Sequence, residues 1–477
     1  MRTRLAVATF AFALKAVAGT AGPVHMQDKF IEQEQASGTT SAATVEKWWA
    51  TLSDPELNSL IERAVRSNLD LKLAGERLLE ARAARRIARA ALLPSIDSTE
   101  SFDRIRGGFE NGNIHVGNAP GSGIFVSPFE TNLFQIGLDA SWELDFFGGR
   151  RHELAAATAD VAGEEESRRD VQVSLLGEVA TNYAEFRGAQ KRLAITNENI
   201  QLQRESLDLT KVRSEAGLGT ELDVERQREQ LESSRAIVPQ LQAELKIRTH
   251  ALSVLLGRTP DELESELAQT ATAPVNPPQV PVGLPADLLA RRPDVRRATA
   301  AISAAAQRVG AAKADLFPKI VISGAAGRQA TDLSGFTLGA GNFFSVGPGI
   351  TVPIFEGGRI RANIAARKQQ LAEAQTQYEA AVLTALRETE DALTQYGREQ
   401  SRREMLASAV DASRRATELA SELYTRGLTD FLSVLDAQRE QLASEDALVQ
   451  SDTAIVTDLV SVYKSLGGGW GEGQKKL

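Results

Sequence analysis

Between Phe134 and Arg150 the chain reads FQIGLDASWELDFFGGR, and apolar and polar residues take turns: Ile136, Leu138, Ala140, Trp142 and Leu144 against Gln135, Gly137, Asp139, Ser141, Glu143 and Asp145. A period of two sends each set to its own face, so the stretch predicts a strand between two different solvents. Gly148 and Gly149 stop it, and a polar, Ala-rich stretch of more than sixty residues without an internal proline then reads as helix. A second copy, FFSVGPGITVPIFEGGR from Phe343 to Arg359, ends in the same Gly-Gly-Arg and opens another very long helix. The chain reads as two such units.

The segments ahead of these strands also match. Asp54-Pro55 opens a helical region that runs to Leu93, where Pro94 ends it, and the counterpart runs from Leu284-Pro285 to Phe317-Pro318. Asp70 to Pro94 and Asp294 to Pro318 are both 24 residues. A further strand follows each proline, Ser95 to Arg106 and Lys319 to Gln329, the first inferred from its position before the Gly/Asn/Pro-rich loop 107–129 rather than from alternation. Each unit thus contributes two strands.

Four strands do not close a barrel, and an open edge in hydrocarbon leaves backbone groups unpaired at several kcal/mol each. Other chains must close it. Two copies give eight strands with a filled interior, three give twelve with the beginnings of a channel, and the polar set Gln135, Asp139, Glu143 and Asp145 favours the water-filled option. No other stretch supplies the roughly 20 consecutive apolar residues of a membrane-spanning helix.

The long helices carry heptads. Phe186, Leu193, Ile200 and Leu207 lie seven apart, as do Val224, Leu231, Val238, Leu245 and Leu252, and again Leu435, Leu442, Val449, Val456 and Tyr463, so the helices are expected to pack in coiled-coil fashion. From Gly358 to Tyr424 is 67 residues, or roughly 100 Å of continuous helix. The returning helices, Thr220 to Leu256 and Asp430 to Leu466, are shorter, and Pro239 inside the first is expected to kink it. Gly217-Leu218-Gly219-Thr220 and Gly427-Leu428-Thr429-Asp430 join the outgoing and returning helices, Gly217 and Gly427 being suited to left-handed C-caps. Both turns then lie about 100 Å from the strands and form one distal tip.

In a symmetric oligomer Asp223, Tyr424, Asp430 and Asp436 near these turns become rings, and carboxylate rings narrow a pore and favour cations. The alternative makes Thr220 and Asp430 helix N-caps and Asp223 a partner of the helix dipole. For Asp430 the cap is the better reading. Asp436 lies deeper in its helix, where the dipole argument weakens, and is the strongest pore candidate.

Composition narrows the chemistry. Over 477 residues aromatics are 5% and net charge is −9, with no Lys/Arg-rich block standing out, which argues against nucleic acid as a partner. Cysteine is absent, so disulfides, thiolate catalysis, Cys-ligated metals and a lipid-modified cysteine are excluded. His25, His115, His152 and His250 are scattered and read as solvated surface residues. No catalytic, cofactor-binding or metal constellation assembles, so an enzyme is not expected. Arg2 and Arg4 precede an apolar run from Leu5 to Leu14 with Ala16-Val17-Ala18 behind it, the pattern of a secretory signal over about 1–21, although Lys15 interrupts the run.

The boundaries that follow are a first repeat over 22–257, with strands at about 95–106 and 132–146 and a helical hairpin at 150–256, and an acidic, then Pro-rich linker over 258–283. A second repeat spans 284–470, with strands at about 318–329 and 343–355 and a hairpin at 358–466, before a polar tail over 471–477.

Asp54 to Ile61, GLPADLLARRPDVRRA from Gly283 to Ala298, Val352 to Arg359 and Tyr424 through Gly427 to Gln438 together resemble the outer membrane factor family, in its NodT-type branch: the outer membrane channels of tripartite resistance-nodulation-division efflux pumps. The resemblance covers about residues 46 to 466. It implies a mainly α fold with a small β part: a homotrimer with a twelve-stranded transmembrane barrel in outer membrane lipid, a long periplasmic helical coiled-coil barrel and an equatorial belt. It also implies a tip docked to a periplasmic adaptor (membrane fusion) protein and an inner membrane pump, with drugs or other small toxic compounds passing out passively. The tip turns of such proteins form an iris held by hydrogen bonds and salt bridges, and Asp436, Tyr424 and Asp223 match that motif. Many members of the branch carry an N-terminal lipidated cysteine that this chain lacks, so either lipid anchoring is absent or the start of the chain is unusual. Position 433 is serine where some relatives are acidic, which leaves the number of carboxylate rings open. An outer membrane component of a type I protein secretion system is the alternative within transport. A poreless coiled-coil or adaptor protein is the alternative from another class, and the alternating strand argues against it.

Overall fold

The computed structural model describes residues 46–107, 129–268, 291–332 and 341–471. The expected signal segment, most of the loop 107–129, the greater part of the linker, most of the tail, His25 and His115 lie outside them, as does the start expected for the second unit's first helix at Leu284-Pro285. A short 3-10 turn, Trp48–Leu52, leads to α1 (Pro55–Ser67), α2 (Leu69–Ala90), β1 (Ser95–Gly107), β2 (Phe129–Leu144), α3 (Gly149–Glu215), α4 (Glu221–Leu255) and α5 (Glu264–Leu267). Then come α6 (Pro293–Ala314), β3 (Lys319–Ala330), β4 (Asn342–Thr351), α7 (Arg359–Thr425) and α8 (Phe431–Ser465). The architecture is mainly helical with one small antiparallel sheet in the order β1-β2-β3-β4. Element lengths repeat: α3 and α7 have 67 residues each, and α4 and α8 have 35 each.

The chain divides into two compact units: Met1–Leu79, Ala162–Thr299 and Gln375–Leu477 form the first, and Glu80–Val161 with Ala300–Ala374 form the second. In the first, the helical region expected as one piece from Asp54 to Leu93 is two helices. The break is at Asn68, whose backbone closes α1 on Ala64 while its Oδ1 accepts from Leu71 N at 2.9 Å and its Nδ2 donates to Leu255 O at 2.9 Å. One side chain therefore starts α2 and ends α4, and an asparagine bonds to backbone this way more readily than it continues a helix. Asp54 starts α1 by accepting from Glu56 N and Leu57 N, and its other oxygen accepts from the Tyr183 hydroxyl at 2.8 Å. α4 runs unbroken through Pro239.

The heptads form the expected seams. Ile200, Leu207, Val224 and Leu231 pack as one cluster between α3 and α4, with Val238 against it. The largest core holds Phe186, Leu252, Leu459 and Tyr463, with Trp48 stacked on the Tyr463 ring at 5.4 Å. That core draws on both hairpins, and ion pairs join them as well: Arg192 to Asp446 at 2.6 Å, Lys191 to Asp452 at 3.0 Å and Arg439 to Glu229 at 2.8 Å.

The ARRPDV segment and the Gly-rich C-terminus lock together here. Arg292 donates to Ser465 O at 3.1 Å, closing the end of α8, and also reaches Asp294 and Glu388. Gln172 donates to Gly469 O at 2.9 Å, and the Arg169 and Arg296 guanidinium groups lie 4.5 and 5.0 Å from the centre of the Trp470 ring, both held by Glu166. Such contacts strengthen as water is removed.

In the second unit His152 departs from the solvated reading. It is half-buried, its Nδ1 lies 2.7 Å from Gln307 Oε1, and its ring occupies the space above Gly310, where a Cβ would come within 2.8 Å of it. The absence of a side chain at Gly310 brings α3 and α6 together at this point. His250 is exposed as expected.

Two outcomes follow. Trp470→Ala is expected to destabilise the detergent-solubilised protein by about 3 kcal/mol, because it empties a buried aromatic site and leaves two guanidinium groups without their ring; the thermal midpoint from circular dichroism checks this. Asp458 on α8 is half-buried near Glu399, and burial, with that neighbour, pushes its pKa up to about 6. The folded state then favours the protonated form, so the chain loses stability as pH rises from about 4 through 6. Asp458→Asn should recover about 1 kcal/mol at pH 8, discounted for its exposure, and nothing at pH 4, read from denaturation at the two pH values.

Candidate functional site

Pairing register decides which side chains share a face. β2 pairs with β1 so that Phe134 faces Phe102, Leu138 faces Ser98 and Ala140 faces Ile96, and with β3 so that Trp142 faces Ile322 and Leu144 faces Ile320. β3 in turn sets Ile320 against Ile350, Gly324 against Val346 and Ala326 against Phe344. Directly opposed residues lie on the same side, so all four strands contribute apolar residues to one face, on which Glu100 and Arg328 flank Ile136 near the Phe134 end. That face is uncovered: Phe344 is 83% and Val346 75% exposed. From the Leu138 row to the Leu144 row, where this face carries no charged residue, is roughly 20 Å along the strand.

The other face is more polar, although Leu133, Val321 and Phe343 also lie on it. Asp97 lies opposite Asp139, Thr99 opposite Gly137, and Gly137 opposite Gly327. A Cβ at Gly327 would meet Ile136 O at 2.3 Å and the Phe343 ring at 3.0 Å, so the two strands approach and the ring covers them only because glycine stands there. The Thr99 hydroxyl donates to Asp139, and Gln135 lies on the same face.

Two boundaries differ from the sequence reading. Asp145, read as the last polar position of the strand, lies outside it, since β2 ends at Leu144. Its carboxylate accepts from Arg150 N at 3.1 Å and Arg151 N at 2.9 Å, satisfying the first donors of α3. Glu143 is also engaged, by Arg150 at 2.7 Å. The strand expected to reach residue 355 ends at Thr351. Pro353 has no N–H to offer a ladder, and Ile354 and Phe355 stand 93% and 90% exposed beyond it.

In the first unit the two hairpin turns have one construction. Gly217 and Gly427 both have φ of 73°, the left-handed region, and the residues after them donate to Arg213 O at 2.8 Å and Leu423 O at 2.9 Å. This is the Schellman closure that such glycines permit. Leu218 and Leu428 are left 68% and 69% exposed. Thr220 and Asp223 form a capping box, and Asp430 caps α8 by accepting from Ser433 N at 3.1 Å and from its hydroxyl at 2.8 Å. The Ser433 hydroxyl and N–H hold the Asp430 carboxyl below the usual carboxylate range.

The four candidate residues thus divide. Asp223 and Asp430 are helix caps, and Tyr424 is packed on Phe431 in a small buried cluster with Val434 and Leu435. Asp436 is exposed and has no hydrogen bond or ion pair among the described residues. Sequence reasoning missed Arg213, whose guanidinium lies 4.6 Å from the centre of the Tyr424 ring and donates to Thr425 O at 3.4 Å, joining the two turns. It also missed Arg439, one turn beyond Asp436, which bonds Gln230 and Glu229. A cation in the last turn before a C-cap glycine was the available signal for Arg213.

A sheet with one apolar face and long coiled-coil hairpins define a membrane protein that crosses lipid by strands rather than helices; none of the described helices is long and apolar enough to cross. The outer membrane efflux protein family model matches residues 60–258 and 284–468, and the chain belongs to that family. It is 34% identical over 431 residues to the solvent efflux pump outer membrane protein SrpC of Pseudomonas putida, covering 88% of this chain and 87% of the relative. It is 31% identical over 442 residues to the pyoverdine export outer membrane protein OpmQ of Pseudomonas aeruginosa, covering 91% and 90%. Among solved structures, the outer membrane channel OprN superposes with a TM-score of 0.85 at 36% identity over 95% of this chain and 99% of that one. The open-state outer membrane channel MtrE of Neisseria gonorrhoeae shares the fold, with a TM-score of 0.79 at 24% identity over 96% of this chain and 98% of that one. The protein is therefore an outer membrane efflux protein, of a channel family rather than an enzyme family.

Thr220→Ala should destabilise the first turn of α4 by about 1 kcal/mol, seen as faster amide exchange at Asp223 and Val224 with Leu241 unchanged. Acid acts on the second turn: a depressed carboxyl stabilises above its free value near 4 and ceases to as pH falls through its folded value. Exchange at Ser433 should rise below about pH 4 in the native chain and be pH-independent in Asp430→Asn, apart from the intrinsic rate.

Proposed function

We propose that three copies of this chain close one twelve-stranded barrel and that the protein serves as the passive exit duct of a tripartite efflux pump. The observation that carries this reading is the four-stranded sheet with an uncovered apolar face and two edges, on β1 and β4, that pair with no strand among the described residues. Each edge needs a partner in lipid, and four strands per chain times three gives a lumen lined by the face of Asp97, Asp139 and Gln135.

The equal helix lengths and the two family matches support an internal duplication, with repeats over 22–257 and 284–470 around a linker at 258–283. The paired turns form the periplasmic tip, and their exposed Leu218 and Leu428 offer apolar contacts to a periplasmic adaptor, through which an inner membrane resistance-nodulation-division pump delivers substrate. Asp436 is the aperture residue. It is the one acidic candidate that no cap holds, and in a trimer it makes a carboxylate ring. Tyr424 acts behind it, fixing the end of α7 against α8. The names of the relatives, solvent, toluene and pyoverdine exporters, point to small toxic or secreted compounds as the cargo class.

Asp436→Ala should raise single-channel conductance in planar bilayers severalfold while Asp430→Ala mainly weakens the turn. Unchanged conductance in Asp436→Ala, alone and with Asp223→Ala, refutes the aperture assignment. The native protein should leave outer membranes as a trimer only with detergent, and recovery in the osmotic-shock fluid contradicts the barrel.

A further inference from the structure

The last two turns of α2 carry a feature that the exit duct does not use. Arg82, Arg85, Arg86 and Arg89 are spaced i, i+3, i+4 and i+7, one face of the helix, in a chain whose net charge is −9. Arg85, Arg86 and Arg89 are exposed, and no ion pair reaches any of the four among the described residues. Cations near a helix C-terminus are favourable to its dipole, which accounts for Arg89. It does not account for Arg82, Arg85 and Arg86, which lie before the last turn, and like charges at this spacing repel one another. The equivalent end of α6 carries Arg308, which is paired with Asp160, and Lys313, with Asp315 just beyond. The duplicated architecture therefore does not require the stripe.

Position says what would relieve the repulsion. Three residues past the end of α2 stands Leu93, which is 65% exposed, and Pro94 then leads straight into β1. The Trp142 indole, on the apolar face, donates to Leu92 O at 3.0 Å and ties this junction to that face. Ser95 lies beside Ser141, at the same sheet end as Leu144, Lys319 and Thr351. Exposed aromatics collect at that end: Phe146, Phe355, and Phe147 stacked on Phe317 at 4.7 Å. A cationic stripe above an apolar and aromatic collar, continuous with a face built for hydrocarbon, matches the layering of a membrane interface.

We infer that this stripe and collar bind anionic phospholipid headgroups of the periplasmic leaflet, the arginines engaging the phosphates and the collar the upper acyl chains. Arg is suited to it because its planar fork pairs phosphate oxygens two at a time. The inference rests on the outer membrane barrel reading and adds a lipid class to it.

The test uses the detergent-purified full chain, exchanged into mixed micelles containing phosphatidylglycerol or phosphatidylcholine, with inorganic phosphate as a third arm, and counts bound lipid by native mass spectrometry. Phosphatidylglycerol should be retained over phosphatidylcholine, inorganic phosphate should not displace it, and the preference should fall with salt. R82Q/R85Q/R86Q/R89Q should lose roughly tenfold or more of the preference, each charge near a surface being worth about fivefold, while the all-lysine variant keeps most of it. Equal retention of phosphatidylglycerol by the glutamine variant overturns the proposal. So does a native protein without lipid preference whose glutamine variant dissociates, since the arginines then serve a neighbouring subunit's carboxylates. Sedimentation of the same samples separates the two levels. An intact detergent-bound oligomer without lipid preference sinks only the lipid site, whereas a detergent-free soluble monomer sinks the barrel reading as well.

Discussion

A backbone N–H or C=O in hydrocarbon has no water to turn to, and every arrangement of this chain answers to that constraint. Three ladders, β1 with β2, β2 with β3 and β3 with β4, satisfy the interior of the sheet, while the outer edges of β1 and β4 have no strand within the described chain. At several kcal/mol per unpaired group, even a few open positions exceed the stability of an ordinary domain. On the proposed reading, subunit association is a condition of membrane residence, and the sheet is complete only across three chains.

Apolar seams hold each hairpin together, and the two hairpins meet through a shared apolar core and through ion pairs. Inside a hairpin the seam is apolar, as with Ile200, Leu207, Val224 and Leu231, so outgoing and returning helices hold together through area removed from water. Between hairpins, Arg192, Lys191 and Arg439 meet carboxylates at partly exposed positions. Such pairs contribute little individually and weaken with salt, but they fix register. The free carboxylate of Asp436 lies on α8, and the Arg439–Glu229 contact one turn away joins that helix to α4, so the proposed aperture and its restraint share a short segment.

Much of this was legible in the residues, because the signals were periodic. Alternation at Ile136 to Leu144, heptads from Phe186 onward and the Gly-Leu turns each come from a regular geometry that repeats over enough positions to stand out. What was not legible depended on single side chains serving two partners. Asn68 bonds to two helix ends at once, His152 fills the space over Gly310, and Asp145 abandons the strand pattern it completes to start α3. None of these has a spacing signature. The aperture candidates were separable in part: position in the helix favoured a cap for Asp430 and set Asp436 apart, and the capping bonds put Asp223 with Asp430. β1 was assigned by order alone, and its pairing with β2 vindicates topology where composition was weak.

The most direct measurement exploits the absence of native cysteine. Single cysteines placed on the outer edge of β1, at Ser98, Thr99 or Ser101, are combined in a small panel with one on β4, at Ser345, Val346 or Gly347, and the protein is oxidised in the membrane. If sister chains complete the sheet edge to edge, at least one pair yields a covalent ring of three on a denaturing gel, and the singly substituted chains do not. Only monomers across the whole panel, or ladders that run past three, contradict the account.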